Sequence, residues 1–266
     1  MTLKRLVLPI VFVFFAAFST FAQQSSTTST LLTKDPKAVS LASASLAALW
    51  GSTAITDVTL TGTATRIVGS DTETGSVTLS ASGTSNSRIE LNLSNGPRSE
   101  VRNLSNSMPQ GSWSGTDAVS HAIPMHNCMT DAAWFAPQLS VLSQLSDPNV
   151  AVLYVGQESR GSTVVQHLRF EIRGANAGPS GLLQHLSAED VYLDASSFLP
   201  VTITFNTHPD NDAGTDIPVE IDFSNYTRVN GAQIPFHVQK YLNGSLFLDL
   251  VIQSAVLNSG ISQSAF

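Results

Sequence analysis

The 266-residue chain carries 13 basic and 20 acidic residues, a formal charge of −7, and only 12% of its residues are charged. A surface of this sign disfavours nucleic acid and anionic membranes as partners. Cys128 is the single cysteine, which excludes an intrachain disulfide and leaves a thiol expected to be buried and inert.

At the N-terminus, Lys4 and Arg5 precede an apolar run from Leu6 to Phe18, followed by Ser19-Thr20-Phe21-Ala22 with small residues at 20 and 22. This pattern predicts a secretion signal over residues 1–22, cut after Ala22, and hence a periplasmic or secreted protein. The run falls short of the ~20 residues needed to cross a bilayer, and no later stretch is long and apolar enough to span one as a helix. Removing the leader takes Lys4 and Arg5 with it and leaves 11 basic against 20 acidic residues. Residues 23–34 are rich in Ser, Thr and Gln and predict a disordered lead-in. Residues 35–266 predict one β-rich domain, long enough to bury a core without covalent staples.

Asp35 reads as an N-cap with Pro36 in the first turn, and Val39, Ala42, Leu46, Leu49 and Trp50 share a helical face. A helix over about 36–50, ended by Gly51, follows. The period then changes to two. Val58, Leu60, Gly62 and Ala64 alternate with threonines, and Val77-Leu79-Ala81 and Ile89-Leu91-Leu93 repeat the pattern. Turns at 69–71 and 83–86 join these as successive hairpins, and 97–104 adds a fourth strand. A loop over 105–116 leads to a helical insert at about 117–146, with Trp134, Phe135, Leu139, Leu142 and Leu145 on one face. Seven further strands run from Val150 to Ser254, two of their turns marked by Asn230-Gly231 and Asn243-Gly244. The sum is about eleven antiparallel strands in a mainly β, α+β chain.

Candidate chemistry is sparse. Gly111-Ser112-Trp113-Ser114-Gly115 fails as a nucleophile elbow because Trp113 stands where serine is needed. His121, His126 and Cys128 lie close in sequence, with Asp131 as the near fourth group of a zinc set. Their spacing does not place them on one helix face, so a tight turn with Cys128 buried is expected and no metal is assigned. The loop His208-Pro209-Asp210-Asn211-Asp212, with Asp216, is oxygen-rich but lacks the ligand spacing of a calcium loop. Glu220 and Asp222 share one face of a strand, a spacing compatible with acid/base work, yet Val219, Ile221 and Phe223 claim the core side. No catalytic set is complete, and no cofactor is expected.

The C-terminal third carries a pattern of another kind. Tyr192-Leu193-Asp194 is followed by Leu199-Pro200-Val201, then Phe223-Ser224-Asn225-Tyr226, then Val229-Asn230-Gly231-Ala232-Gln233-Ile234-Pro235. Over residues 191–258 this resembles the periplasmic lipoprotein-carrier and outer-membrane lipoprotein-sorting superfamily, the LolA/LolB-like fold. The resemblance implies a strongly curved antiparallel sheet, an unclosed barrel with helices as a lid, and an apolar cavity for acyl chains. It also implies a lid-latching arginine, for which Arg66, Arg88, Arg98 and Arg102 stand open. Trp50, Trp134, Phe135, Leu139 and Leu142 would then line the cavity or the lid. On this reading the protein is a non-catalytic binder of a lipid or lipoprotein acyl chain. An envelope protein-interaction module with a filled core is the runner-up; an outer-membrane barrel or a hydrolase ranks below both.

Overall fold

The computed structural model describes residues 34–173 and 181–266. The expected leader, residues 1–22, and residues 23–33 of the expected lead-in lie outside the described residues. No helix among the described residues is long and apolar enough to cross a membrane.

Helix α1 spans Pro36–Trp50, as its caps predict. The Asp35 carboxylate accepts from the N–H groups of Lys37 at 2.8 Å and Ala38 at 3.0 Å, satisfying donors that the first turn leaves open. Ala38, Ala42 and Ser45 share the buried face with Leu46 and Leu49, so small side chains let the helix lie close against its neighbours. Gly51 ends it at φ 64°, and a Cβ there would stand 2.4 Å from the carbonyl oxygen of Gly231. Gly51→Ala is therefore expected to destabilise the protein by about 2 kcal/mol, from backbone strain and the clash together, measured by urea unfolding.

Thirteen strands form one antiparallel sheet. The first half is β1 (Asp57–Val68), β2 (Asp71–Ser82), β3 (Asn86–Leu93), β4 (Gly96–Ser105), β5 (Met108–Ser114) and β6 (Ser120–Ile123). The second half is β7 (Val150–Arg160), β8 (Thr163–Ile172), β9 (Glu189–Asp194), β10 (Pro200–Thr207), β11 (Ile217–Val229), β12 (Ala232–Leu242) and β13 (Ser245–Leu257), with a short helix α2 (Leu182–Leu186) between β8 and β9. Each half is a meander of neighbours, and the two join where β1 pairs β13. The sheet is not closed: β6 and β7 are its edges. One face is apolar along most strands, through residues such as Leu60, Leu79, Leu91, Ile221, Val238 and Leu250. Against it pack α1 and the segment that connects β6 to β7. The mainly β chain is thus what the alternation predicts, and the unclosed antiparallel sheet is what the resemblance implies.

The middle of the chain departs from expectation. Two more strands exist than the eleven expected, because β5 and β6 occupy stretches read as loop and helix. Nor is 117–146 a helical insert. It holds β6 and then three 3-10 turns, Met125–Cys128, Pro137–Leu139 and Val141–Gln144. Side chains capture the donors that a helix would need. Asp117 accepts from the Val119 N–H, Ser140 from Leu142 and Asp131 from Val141. Pro124 and Pro137 each remove a donor outright. The apolar positions survive the change: Phe135 and Leu142 are fully buried, and Trp134 and Leu139 nearly so.

The C-terminal motif residues meet in space. The Tyr226 hydroxyl donates to the Pro200 carbonyl at 2.7 Å, locking β10 to β11. Asn230 and Gly231 both take positive φ in the β11–β12 turn, on whose backbone Gly51 rests.

Candidate functional site

The segment 124–149, the lid, crosses the gap between the two sheet edges and is fastened by polar contacts along its length. Asn127 accepts from the His208 N–H at 2.8 Å and donates to the His208 carbonyl at 2.8 Å. The Trp50 indole N–H donates to the Gln138 carbonyl at 3.0 Å, and the Gln138 amide donates to the Gln233 carbonyl. Lys34 donates to the carbonyls of Leu145 and Asp147. Trp50 is therefore a lid anchor on α1, while Phe135, Leu139 and Leu142 sit in the continuous core.

A buried carboxyl pair holds the lid's centre. The Asp131 N–H donates to Glu189 Oε1 on β9 at 2.7 Å, and the Val141 N–H donates to Asp131 Oδ2 at 2.8 Å. Asp131 and Glu189 are 4% and 2% exposed. Burial, opposed for Asp131 by the bond from Val141, pushes the Asp131 carboxyl up to about 7. Burial and the neighbouring Asp131 push Glu189 well above the carboxylate range. The two carboxyls hold a proton that a solvated pair would release.

Trp134 closes a cavity of about 240 Å³ whose walls are Ile89, Leu91, Phe247 and Leu248. A neighbouring cavity of about 220 Å³ shares Glu100, Trp113, Lys240 and Phe247 with it. Each alone is below the ~300–1,000 Å³ of ordinary ligand sites, but one occupant spanning both falls within that range. A third, of about 430 Å³, meets the second at Arg102 and Thr130 and lies beside the carboxyl pair at the open seam.

The rim of these cavities is charged, and β4 supplies three of the charged groups. Its register sets Arg98 beside Leu91, Glu100 beside Ile89 and Arg102 beside Ser87, so all three face the lid side. Arg98 grips Glu73, 4% exposed, with a hydrogen bond of 2.9 Å and an ion-pair contact of 2.7 Å, and Arg66 reaches the same carboxylate at 3.4 Å. Arg102 Nε donates to Glu100 at 2.9 Å. Burial alone would raise Glu100, but Arg102 and Lys240 beside it hold its carboxyl low. The Lys240 ammonium stands 4.4 Å from the Trp134 ring centroid, makes no ion pair among the described residues, and is pushed down to about 8 by burial. Arg66, Arg98, Arg102 and Lys240 thus gather around the two smaller cavities with Glu73, Glu100 and Asp210, in a chain whose overall charge is negative. Trp134 Nε1 and Arg102 Nη1 are buried donors that find no acceptor among the described residues. Arg88 faces the other way and donates to the Ala265 carbonyl at 2.6 Å, which leaves Arg66, Arg98 and Arg102 as the inward arginines.

The other sequence candidates disperse. His121 stacks on Trp113 with centroids 4.4 Å apart, His126 turns to the Pro209 carbonyl at 3.1 Å, and Cys128 Sγ lies 4.0 Å from the Ile123 carbonyl. Burial pushes the Cys128 thiol up, in keeping with an inert group. Glu220 and Asp222 lie on the outer face, bonded to Arg160 at 2.6 Å and Thr202 at 2.7 Å. The inward charges of β4 escaped the sequence reading, although the alternation Arg98-Glu100-Arg102 was there to signal them.

No protein-family model matches the chain, and no curated protein matches its sequence. Solved structures do match its fold. An outer membrane lipoprotein-sorting protein domain from Vibrio parahaemolyticus superposes at TM-score 0.54 and 12% identity, covering 86% of this chain and 95% of that one. A DUF1329 family protein from Desulfovibrio piger superposes at TM-score 0.55 and 10% identity, covering 86% and 95%. At these identities the likeness is one of architecture, and the chain has the LolA-like, unclosed-barrel fold that its C-terminal motifs resemble.

Proposed function

We propose that residues 35–266 act as one non-catalytic carrier domain in the cell envelope, holding a single-chain amphiphile with an anionic head. The observation that carries this reading is the cavity under Trp134, apolar in its walls and cationic at its rim. An acyl chain would lie along Leu91, Phe247 and Leu248, and a carboxylate or phosphate would meet the donors left open on Lys240, Arg102 and Trp134. The leader pattern at residues 1–22 supports delivery to the envelope, and the likeness in fold to a lipoprotein-sorting domain supports the class of cargo.

Native mass spectrometry of residues 23–266, purified without detergent, tests this directly. A discrete added mass identified as a fatty acid or phospholipid is expected. Oleate and oleyl alcohol then separate head from chain. Lys240→Met should weaken oleate by ~10-fold, the loss of one charge-assisted bond, and leave the neutral alcohol unchanged. A clean apo mass with no uptake of either would sink the carrier reading.

One observation favours a second reading. The outer edge of β6 pairs with no strand among the described residues, and Leu104, Met108, Trp113, Val119 and Met125 are exposed on this side of the molecule. A partner adding a strand to β6 would use both features. A proline at Ala122 should abolish such binding and leave oleate uptake intact.

A further inference from the structure

Three side chains far apart in sequence converge away from the cavity. His185 comes from α2, while His208 and Asp216 flank the loop between β10 and β11. His185 Nε2 lies 3.0 Å and His208 Nε2 3.1 Å from the same Oδ1 of Asp216, and the three atoms all lie within 4.8 Å of one another. Ligands of a tetrahedral zinc ion, bound at about 2.0–2.1 Å, stand ~3.3 Å apart. The observed spacings differ from that by a few tenths of an ångström for the two pairs that share Asp216.

The second observation is the state of His208. Its side chain is fully buried, its Nδ1 has no partner among the described residues, and Asn127 fixes its backbone from both sides. His185 and Asp216 are 41% and 42% exposed, which leaves a route for the ion and room for water as a fourth ligand.

We infer that His185, His208 and Asp216 form a zinc site, with Nε2, Nε2 and Oδ1 as its protein ligands. Two imidazoles and one carboxylate suit zinc better than calcium or magnesium, which take oxygen. The site lies at the foot of the lid. His126 and Asn127 hold the same loop, at Pro209 and His208, so a bound ion would brace the anchor on which the lid rests.

The test is titration of the chelator-stripped protein with zinc alone, followed by calorimetry. One zinc per chain is expected. His185→Ala and Asp216→Asn are partly exposed changes that should preserve the fold, checked by circular dichroism. Each should weaken binding by more than the ~10–100-fold that loss of an outer-shell partner costs. His121→Ala and Cys128→Ala should leave it unchanged. Absence of stoichiometric binding, or full affinity in the His185→Ala/Asp216→Asn double variant, would overturn the assignment.

Discussion

Trp134→Ala is expected to lower stability by about 3–5 kcal/mol, the usual cost of removing a large aromatic from a packed interior. The side chain is 2% exposed, meets Phe135 edge-on at 5.6 Å and lies under the Lys240 ammonium. Its loss would leave the roof of the cavity without its largest member and free Lys240 from its aromatic face. A domain of this size loses roughly 2–4 °C in melting temperature per kcal/mol, so a drop on the order of 10 °C should appear in thermal unfolding. Trp134→Phe keeps most of the packing and should cost far less. A fall below ~1 kcal/mol in the alanine variant would show that the lid does not depend on this residue.

A second large effect is expected from pH. Asp131 and Glu189 both hold protons in the folded protein at pH values where the unfolded chain has released them. The folded state therefore binds more protons, and stability must fall as pH rises. Their contribution is complete below the ordinary carboxylate value near 4 and declines through about 7, where Asp131 titrates, toward the higher value of Glu189. Glu189→Gln removes the titration and keeps the shape. Its carbonyl still accepts from the Asp131 N–H, and its amide can donate to the Asp131 carboxylate. The variant should be more stable than the parent at pH 8, by on the order of a few kcal/mol, with a flatter profile between pH 5 and 8 in urea titrations. Equal slopes in parent and variant would refute the shared proton. Asp57 and Asp194 act in the opposite sense. Bonds from Ser259 and Gly260 outweigh burial to lower Asp57, and Ser196 and Ser197 hold Asp194 at about 2, so both withdraw support as pH falls.

What the sequence discloses follows from how local each cause is. The caps of α1 act within four residues, so Asp35, Pro36 and Gly51 place its ends correctly. Alternation in β1, β2 and β3 is likewise visible residue by residue. β4 is legible as a strand over 97–104, but its inward face is not, because those positions are charged, and that inversion makes sense only once Glu73, Lys240 and Trp134 are seen around it. The lid misleads because Trp134, Phe135, Leu139 and Leu142 have helical spacing, while Asp131 and Ser140 claim the amides a helix requires. His126 lay in a plausible cluster with His121 and Cys128, but its neighbour is His208, centroid to centroid 5.9 Å. No pattern within a few residues could have joined positions 126, 185, 208 and 216.

The pairing of β1 with β13 has a consequence for folding order. Eleven of the twelve pairings in this sheet join strands that follow one another in the chain, so they can form as the chain emerges. The twelfth, β1 with β13, joins residues about 200 positions apart, such as Val58 and Leu257, and closes the longest loop among the strand pairings. Until residues 245–257 exist, β1 and β12 present bare edges with apolar faces beside them. A chain stopped short of β13 would hold two half-sheets ready to pair with other molecules, so truncation at this end should yield aggregates rather than a smaller carrier.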